Sequence, residues 1–192
     1  MTTGVQNTLL GGLAGDALTT GGFNVAIGYG ALSTEDAHGK NTAIGFQSLA
    51  SQNAGAEAYN VAIGFEAGKL VSTGIKNTLI GGLAGDALTT GENNTAIGYQ
   101  ALSSEDTNGT AVAVGYRALA ILNAGAESYN VAVGFDAGVL VSTGVENTII
   151  GGSAGDALTT GSGNTAVGYN ALSTEDANGK NTAIGRAALN AL

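Results

Sequence analysis

The chain has 192 residues, of which 33 are Gly, and it contains no Pro, Cys or Trp. Its 6 Lys and Arg stand against 15 Asp and Glu, and the net charge of −9 argues against a nucleic acid or an anionic membrane surface as partner. Without Cys there is no disulfide, thiol nucleophile or Cys-based metal site. No apolar run approaches the ~18 residues of a membrane-spanning helix, so we expect no membrane insertion.

A five-residue motif, Asn-Thr-Ala-Ile-Gly, recurs with small variations along the whole chain. Successive motifs are separated by 17, 17, 19 and 17 residues, and this cycle then repeats. Residues 7–76 and 77–146 therefore align without gaps, with 47 of 70 positions identical, and residues 147–192 form a partial third copy. Ala111 takes the Asn place once. The Asn residues that open the other motifs are Asn7, Asn24, Asn41, Asn60, Asn77, Asn94, Asn130, Asn147, Asn164 and Asn181.

Units of this length are too short for a helical-hairpin repeat of about 34 residues, and they suit one coil of a β-solenoid. β-Branched residues cluster in the motif, while Gly, Asn, Ser and Asp lie between motifs as turn formers. The sequence thus predicts an all-β chain, a single domain over 1–192, folded as a parallel β-solenoid (β-roll) of about eleven coils. At ~4.8 Å per coil, the rod would be on the order of 50 Å long.

We number each coil from its Asn as position 0. Positions 1 (Thr or Val), 3 (Leu, Ile or Val), 5 (mostly Tyr or Phe) and 7 (mostly Ala) share one strand face by the period of two, and we predict them as the coil interior. Position 2, mostly Ala, and position 4, always Gly, form a small flat face, which we expect to contact another copy of the chain because a strand apolar on both faces is usually covered on both. The interface candidates are Ala43, Gly45, Ala62, Gly64, Ala96, Gly98, Ala113, Gly115, Ala132 and Gly134.

The column of Asn residues is interpreted as a structural ladder. An Asn amide can bond to the next coil, and Asn tolerates the left-handed conformation. An Asn array that reads a ligand is the alternative. At position 1, an ice-binding face would need a regular, exposed array of Thr hydroxyls, and Val in four of the eleven coils favours a buried or interface column instead.

Residues 11–18 resemble the Gly-Gly-x-Gly-x-Asp-x-Leu repeat that binds calcium in β-rolls. The copies at 81–88 and 151–158 make Asp16, Asp86 and Asp156 weak metal candidates. They lie four coils apart, roughly 19 Å by the strand spacing, so each lacks the adjacent turn with which such repeats share calcium. We therefore expect no metal and no cofactor.

Paired carboxylates recur once per 70 residues, at Glu35-Asp36, Glu105-Asp106 and Glu175-Asp176. A catalytic pair needs two carboxyls in different environments of a cleft, so we predict solvated acidic loops. His38 is the only His, and the other copies have Asn108 and Asn178 in its place, so a His-based site would exist only once. No cluster of titratable groups recurs in a plausible cleft, and we expect no enzyme.

The runs Asn94–Leu102 and Asn164–Leu172, of the form Asn-Thr-Ala-Ile/Val-Gly-Tyr-x-Ala-Leu, resemble repeats of phage tail-fibre and bacterial surface-fibre proteins. More distantly, they are similar to the head repeats of trimeric autotransporter adhesins. The resemblance implies left-handed parallel β-rolls packed side by side as a homotrimer, with the Ala/Gly face near the axis. It also implies an extracellular, cell-surface or virion location. The coils here are longer than the adhesin head units.

We therefore predict a structural fibre or filament subunit, or an adhesin-type fibre segment, that works by homo-oligomeric assembly as a homotrimer, a head-to-tail filament or both. The first residues match the end of a fourth-type coil and the last stop within a third-type coil, which favours either a segment of a longer fibre or copies that stack end to end into a filament. The alternative is a ligand-binding solenoid for calcium, a glycan or an ice surface. A cell-surface or glycan ligand would be the external partner.

Overall fold

The computed structural model shows an all-β chain folded as a parallel β-solenoid, as the repeat spacing predicts. It describes residues 3–105, 107, 109–174 and 177–190. Within these residues eleven strands form one sheet, in which the order of strands is the order of the chain. The described part of the chain has no helix with the length and apolar character needed to cross a bilayer.

Each strand consists of positions 1 to 3 of one coil, and the rest of the coil is turns and bends. The strands are β1 (Thr8–Leu10), β2 (Val25–Ile27), β3 (Thr42–Ile44), β4 (Val61–Ile63), β5 (Thr78–Ile80), β6 (Thr95–Ile97), β7 (Val112–Val114), β8 (Val131–Val133), β9 (Thr148–Ile150), β10 (Thr165–Val167) and β11 (Thr182–Ile184). Successive strands pair in parallel and in register, so that Ala96 lies beside Ala113. Equivalent positions of neighbouring coils therefore stack into columns along the rod.

The two faces of each strand are the reverse of those predicted. Position 2 points into the coil, and its residue is fully buried in coils as different as those of Ala43, Leu79 and Ile149. Positions 1 and 3 point outward and are partly exposed, as in Thr95 and Ile97. The alternation has the predicted period, but its phase is shifted by one residue, and such a shift exchanges the two faces of a strand.

The narrow interior of the coil explains the reversal. Behind the strand, the core is made by position 7 and by positions 8 and 11, so that Ala101, Leu102 and the position-2 residue Ala96 are buried together. Of the four positions that we predicted as the coil interior, only position 7 is buried there. The aromatic residues of position 5, such as Tyr29 and Phe46, are exposed although we predicted them in the core. Side-chain size was a misleading guide to depth, because Ala at position 2 is buried while the larger residues of positions 1, 3 and 5 lie outside.

Core residues of different size complement one another within and between coils. In the coil of β5, Leu79 at position 2 faces Gly85 at position 8, where an added methyl group would lie 2.7 Å from the Leu79 side chain. In the coil of β6 the sizes are exchanged, with Ala96 at position 2 and Leu102 at position 8. The coil of β4 has a small residue at both places, and a methyl group at its Gly68 would meet the Leu79 side chain of the next coil. The core is therefore filled over groups of coils rather than coil by coil.

The Gly at position 4 ends each strand with a backbone conformation that other residues rarely adopt. Gly45 has φ 134° and Gly115 has φ 136°. At both, a methyl group would collide with the carbonyl oxygen of the equivalent Gly in the next coil. The predicted Gly column is thus required by the close approach of stacked backbones and by the bend after the strand.

Gly115→Ala is expected to destabilise the fold by about 3 kcal/mol or more, because it adds both backbone strain and a collision with the carbonyl oxygen of Gly134. Gly125→Ala is the control. Gly125 also has a positive φ, of 68°, but a methyl group there would meet no atom within 4 Å. Thermal unfolding followed by circular dichroism measures both, and equal losses in the two variants would contradict the role of the stacked glycines.

Candidate functional site

The predicted Asn ladder is present and connects the coils through two kinds of hydrogen bond. The Oδ1 atom of Asn77 accepts a hydrogen bond from the backbone N–H of Asn94 in the next coil, at 2.9 Å. Its Nδ2 atom donates to the carbonyl oxygen of Gly91, fourteen residues later, at 2.8 Å. Asn60 and Asn147 make the same pair of bonds. The ladder residues are mostly buried, which fits a structural role and leaves the column little surface to read a ligand.

The left-handed conformation in this region belongs to the residue before each ladder Asn, not to the Asn itself. Lys76 has φ 60° and Tyr129 has φ 48°, whereas none of the ladder Asn residues has a positive φ. This turn brings the chain back to the start of the next strand. The expectation that Asn was chosen for its tolerance of this conformation is therefore wrong, and its hydrogen bonds explain its presence.

The longer third-type coil explains why Ala111 replaces Asn once. Asn41 is its equivalent in the first 70-residue copy, and Asn41 Oδ1 bonds to the next coil in the usual way, at 3.1 Å from the N atom of Asn60. The Nδ2 atom of Asn41, however, is buried and has no hydrogen-bond partner among the described residues. In a coil of this type Asn makes one good bond and leaves a donor unpaired, so Ala costs little in its place.

Asn77→Ala is expected to lower the free energy of unfolding by about 2–4 kcal/mol, because it leaves the N–H of Asn94 and the carbonyl of Gly91 without their partner. Asn41→Ala is the matched control, and we expect a loss below about 1.5 kcal/mol because it also removes an unpaired donor. Thermal unfolding of both variants tests the difference. If Asn41→Ala proved the more damaging, our account of Ala111 would be wrong.

The interface predicted on the Ala/Gly face does not exist as an exposed surface. The five alanines of that prediction (Ala43, Ala62, Ala96, Ala113 and Ala132) are fully buried inside their own coils. The five glycines (Gly45, Gly64, Gly98, Gly115 and Gly134) are half-buried, and their missing side chains accommodate the backbone of the next coil. A second copy of the chain cannot reach the alanines, so any assembly surface lies elsewhere.

The outward face of the sheet is a continuous surface without charged side chains. It consists of positions 1 and 3 of all eleven strands, which carry only Thr, Val, Leu and Ile. Leu10, Ile97 and Ile150 are among its exposed members. We call this surface the sheet face. Its residues are only partly exposed because side chains in adjacent strands, about 4.8 Å apart, cover one another's flanks.

The aromatic residues of position 5 form a second exposed column, beyond the Gly bend. The rings of Tyr29, Phe46 and Phe65 stack in a row, with centroids 5.7 Å and 5.2 Å apart. Tyr99, Tyr116 and Phe135 repeat the row, with centroids 5.8 Å and 5.0 Å apart. Near-parallel rings at these distances attract one another, by about 0.5–1.5 kcal/mol per pair beyond their buried area. Each row is therefore an ordered stack of rings on the surface.

The three weak metal candidates lie apart from any cluster of ligands. Asp16 is exposed, while Asp86 and Asp156 are half-buried, and burial raises the pKa of each of these two above its ordinary 3.8. Within the described residues, none of the three belongs to a group of three or more His, Asp or Glu side chains with neighbouring ligand atoms. The calcium interpretation gains no support from their placement.

We predicted that the acidic loops are solvated, but only some of their carboxylates are exposed. Asp36 is exposed, but Glu35 and Glu105 are buried. Glu35 lies at position 11, where the adjacent coils carry the core residues Leu18 and Gln52. The other members of the predicted pairs, Asp106, Glu175 and Asp176, lie outside the described residues. The burial of Glu35 could have been predicted by aligning the coils position by position, because this alignment places Glu35 in the same column as core residues.

The loop of Glu35 brings together groups that the sequence alone did not connect. Glu35 Oε1 accepts a hydrogen bond from the backbone N–H of His38, at 3.0 Å, while Oε2 has no hydrogen-bond partner among the described residues. Burial raises the pKa of Glu35 above its ordinary 4.5. Ligand atoms of Glu35, Asp36 and His38 lie within 4.8 Å of one another. The direct hydrogen bond and the core position give Glu35 a structural role in shaping this turn.

Glu35→Gln is expected to stabilise the chain at pH 7 and to change its stability less at pH 4. Because burial raises the pKa of Glu35, the folded chain binds more protons than the unfolded chain between pH 4.5 and the raised pKa, and this group's contribution to stability declines as the pH rises through that interval. The variant removes the buried charge. Melting temperatures of the wild type and of Glu35→Gln across this pH range measure the effect. Asp36→Asn is the control variant, because Asp36 is next to Glu35 but exposed. An equal shift at both pH values would contradict the burial effect.

The chain was compared with protein-family models, with curated proteins and with solved structures, and none of the three comparisons gave a match. No pocket was found in the part of the chain that the structure describes. The open surfaces, namely the sheet face and the aromatic column, are therefore the places where function is to be sought.

Proposed function

We propose that the protein is a structural subunit of a fibre at an extracellular, cell-surface or virion location, and that it works by association of copies of the chain through their sheet faces. A homotrimer would form side by side through the sheet faces, whereas a head-to-tail filament would in addition join the terminal coils of successive chains. No catalytic role is proposed. The observation that carries the proposal is the unbroken sheet face, which has no charged residue at positions 1 and 3 in any of the eleven strands.

The dimensions of the sheet face support association. Eleven strands at about 4.8 Å and a width of about 10 Å give an area on the order of 500 Å². The largest apolar patch on an ordinary monomer is about 300–600 Å² and often functional. Two sheet faces in contact would bury about 1,000 Å² in total, which is near the lower limit for a specific interface. The face is therefore large enough for association between copies.

The regularity of the solenoid supports a partner that is another copy of the chain. Position 3 presents one β-branched or Leu side chain per coil, and position 1 presents Thr or Val, all with the spacing of the strands. A second solenoid has the same spacing, so its side chains meet equivalent gaps along the whole length of the rod. The net charge of −9, which lies in other parts of the coils, opposes nonspecific association of rods on their other sides.

An ice surface is a second candidate partner, because position 1 points outward rather than inward. Seven of its eleven residues are Thr and four are Val. Threonines in a flat sheet, spaced about 4.8 Å apart in neighbouring strands, form the regular hydroxyl array that such a surface requires. The Val residues interrupt this array, which is why we favour association between copies.

Light scattering coupled to size-exclusion chromatography should show a mass of three chains, or rods that lengthen with concentration. Ile97→Lys, alone and combined with Val133→Lys, places charges on the sheet face and is expected to shift a side-by-side trimer toward monomers. Gln100→Lys is the control, because it adds the same charge at a partly exposed position that lies outside the sheet face. A wild-type monomer at high concentration would contradict the proposal. Thermal hysteresis by such a monomer would favour the ice surface.

A further inference from the structure

The first coil of each 70-residue copy has Gly at position 5, and two of these coils lie between coils with aromatic residues. Position 5 is Gly82 in the coil of β5 and Gly152 in the coil of β9, where neighbouring coils have Phe or Tyr. Gly82 lies between the rings of Phe65 and Tyr99. Gly152 lies in the same way between Phe135 and Tyr169. We call these two gaps the aromatic slots.

The space in each slot is one ring thick. Rings in adjacent coils are 5.0–5.8 Å apart, so two such steps place the rings on either side of a slot on the order of 10–12 Å apart. A methyl group at Gly82 would point towards the ring of Tyr99, 3.4 Å from its Cδ2 atom, and one at Gly152 would lie 3.5 Å from Cδ2 of Tyr169. A single flat ring inserted above either Gly would thus contact the Tyr ring on one side. On the other side the methyl position is 4.0 Å from the backbone oxygen of Phe65 or Phe135, and the coil spacing places the Phe ring at that border of the gap.

The exposure of the rings shows that the slots are open. Phe46 and Tyr116, in the middle of their rows, are 41% and 42% exposed. Phe65 and Phe135, which border the slots, are 55% and 59% exposed. The ring faces that look into the slots are therefore accessible, whereas the far side of Tyr169 is covered by Arg186, whose guanidinium lies 6.0 Å from the ring centroid.

The residues next to the rings are polar in the same way in both slots. An acidic residue follows each Phe, as Glu66 and Asp136, and an amide residue follows each Tyr, as Gln100 and Asn170. All four are partly exposed. A purely aromatic occupant has no use for carboxylate and amide groups beside it, whereas a ring that carries hydroxyls can donate hydrogen bonds to them. Both carboxylates also have a cationic neighbour, Lys69 at 2.9 Å from Glu66 and Arg117 at 3.8 Å from Asp136, and it is the net charge of −9 of the chain that disfavours an acidic occupant.

We propose that each aromatic slot binds one neutral pyranose ring of a glycan. Its C–H groups, which carry a small positive charge, would lie against the negative faces of the Phe and Tyr rings, and its hydroxyls would meet the acidic and amide side chains at the rim. The two slots are four coils apart, roughly 19 Å along the rod, so an oligosaccharide that spans both would bind more tightly than its monosaccharide. The slots lie beyond the sheet face, so this site does not depend on assembly.

The slots can be filled by aromatic side chains of the kind that form the rest of the column. Gly82→Tyr with Gly152→Tyr places a ring in each gap, as seven other coils do at this position, and neither Gly has a positive φ that would strain the substitution. Gly12→Tyr is the matched control. Gly12 has the same place in the first coil and contacts Tyr29, but no ring borders it on the other side in this chain. Circular dichroism and thermal unfolding verify that each variant is folded.

Binding is tested on an array of neutral gluco-, manno-, galacto- and N-acetylglucosamine oligosaccharides, and the strongest probe is then titrated by calorimetry. We expect the wild type and Gly12→Tyr to bind equally and the double Gly variant to bind at least tenfold more weakly. Tyr99→Ala with Tyr169→Ala, which removes one wall of each slot, should show the same loss. The proposal is overturned if no probe binds the wild type, if the double variant binds as tightly, or if p-cresol binds in the slots and no sugar does.

Discussion

In most coils a single side chain, the ladder Asn, both closes the coil and attaches it to the next. The Nδ2 atom of a ladder Asn bonds to a carbonyl fourteen residues later in its own coil, as Asn77 does to Gly91, and its Oδ1 atom bonds to the next coil. The first bond limits the width of the coil, and the second sets the stacking distance. Because the side chain is buried, neither bond competes with water. The narrow interior, the close approach of the glycines and the columns on the surface all depend on this pair of bonds.

The narrow coil determines which residues face the solvent. A wide solenoid could enclose large side chains on both sides, but in this one several coils have Ala beside the strand and Leu opposite it, and the coils with Leu79 or Ile149 beside the strand have Gly opposite. The large apolar side chains are consequently outside, as the sheet face and as rows of stacked rings. Stability then comes chiefly from contacts between neighbouring coils, as is typical of repeat proteins. The same constraint supplies the apolar surfaces on which the proposed assembly and ligand binding rest.

Much of the fold can be predicted from the sequence because it follows from spacing. The motif interval gives the coil, the position of each strand, the parallel register and the Asn ladder. The depth of each column does not follow from spacing, since Ala96 and Ile97 are both apolar and only the width of the coil places Ala96 inside. Glu35 was missed for a related reason. Its loop reads as polar along the chain, whereas its column, with Leu18 and Gln52, is part of the core. The slots were missed because Tyr and Phe were expected inside.

The exchange of large and small core residues between coils has a consequence for the growth of such a rod. The coil of β4, with small residues at Ala62 and Gly68, is filled from its neighbours, including Leu79 of the following coil. Deleting this coil would bring Leu49 and Leu79 against each other, and duplicating it would leave a void between two coils with small residues. Four coils are therefore the smallest interchangeable block. A gene for this protein can lengthen or shorten the rod without repacking only in steps of one such block, about 19 Å each.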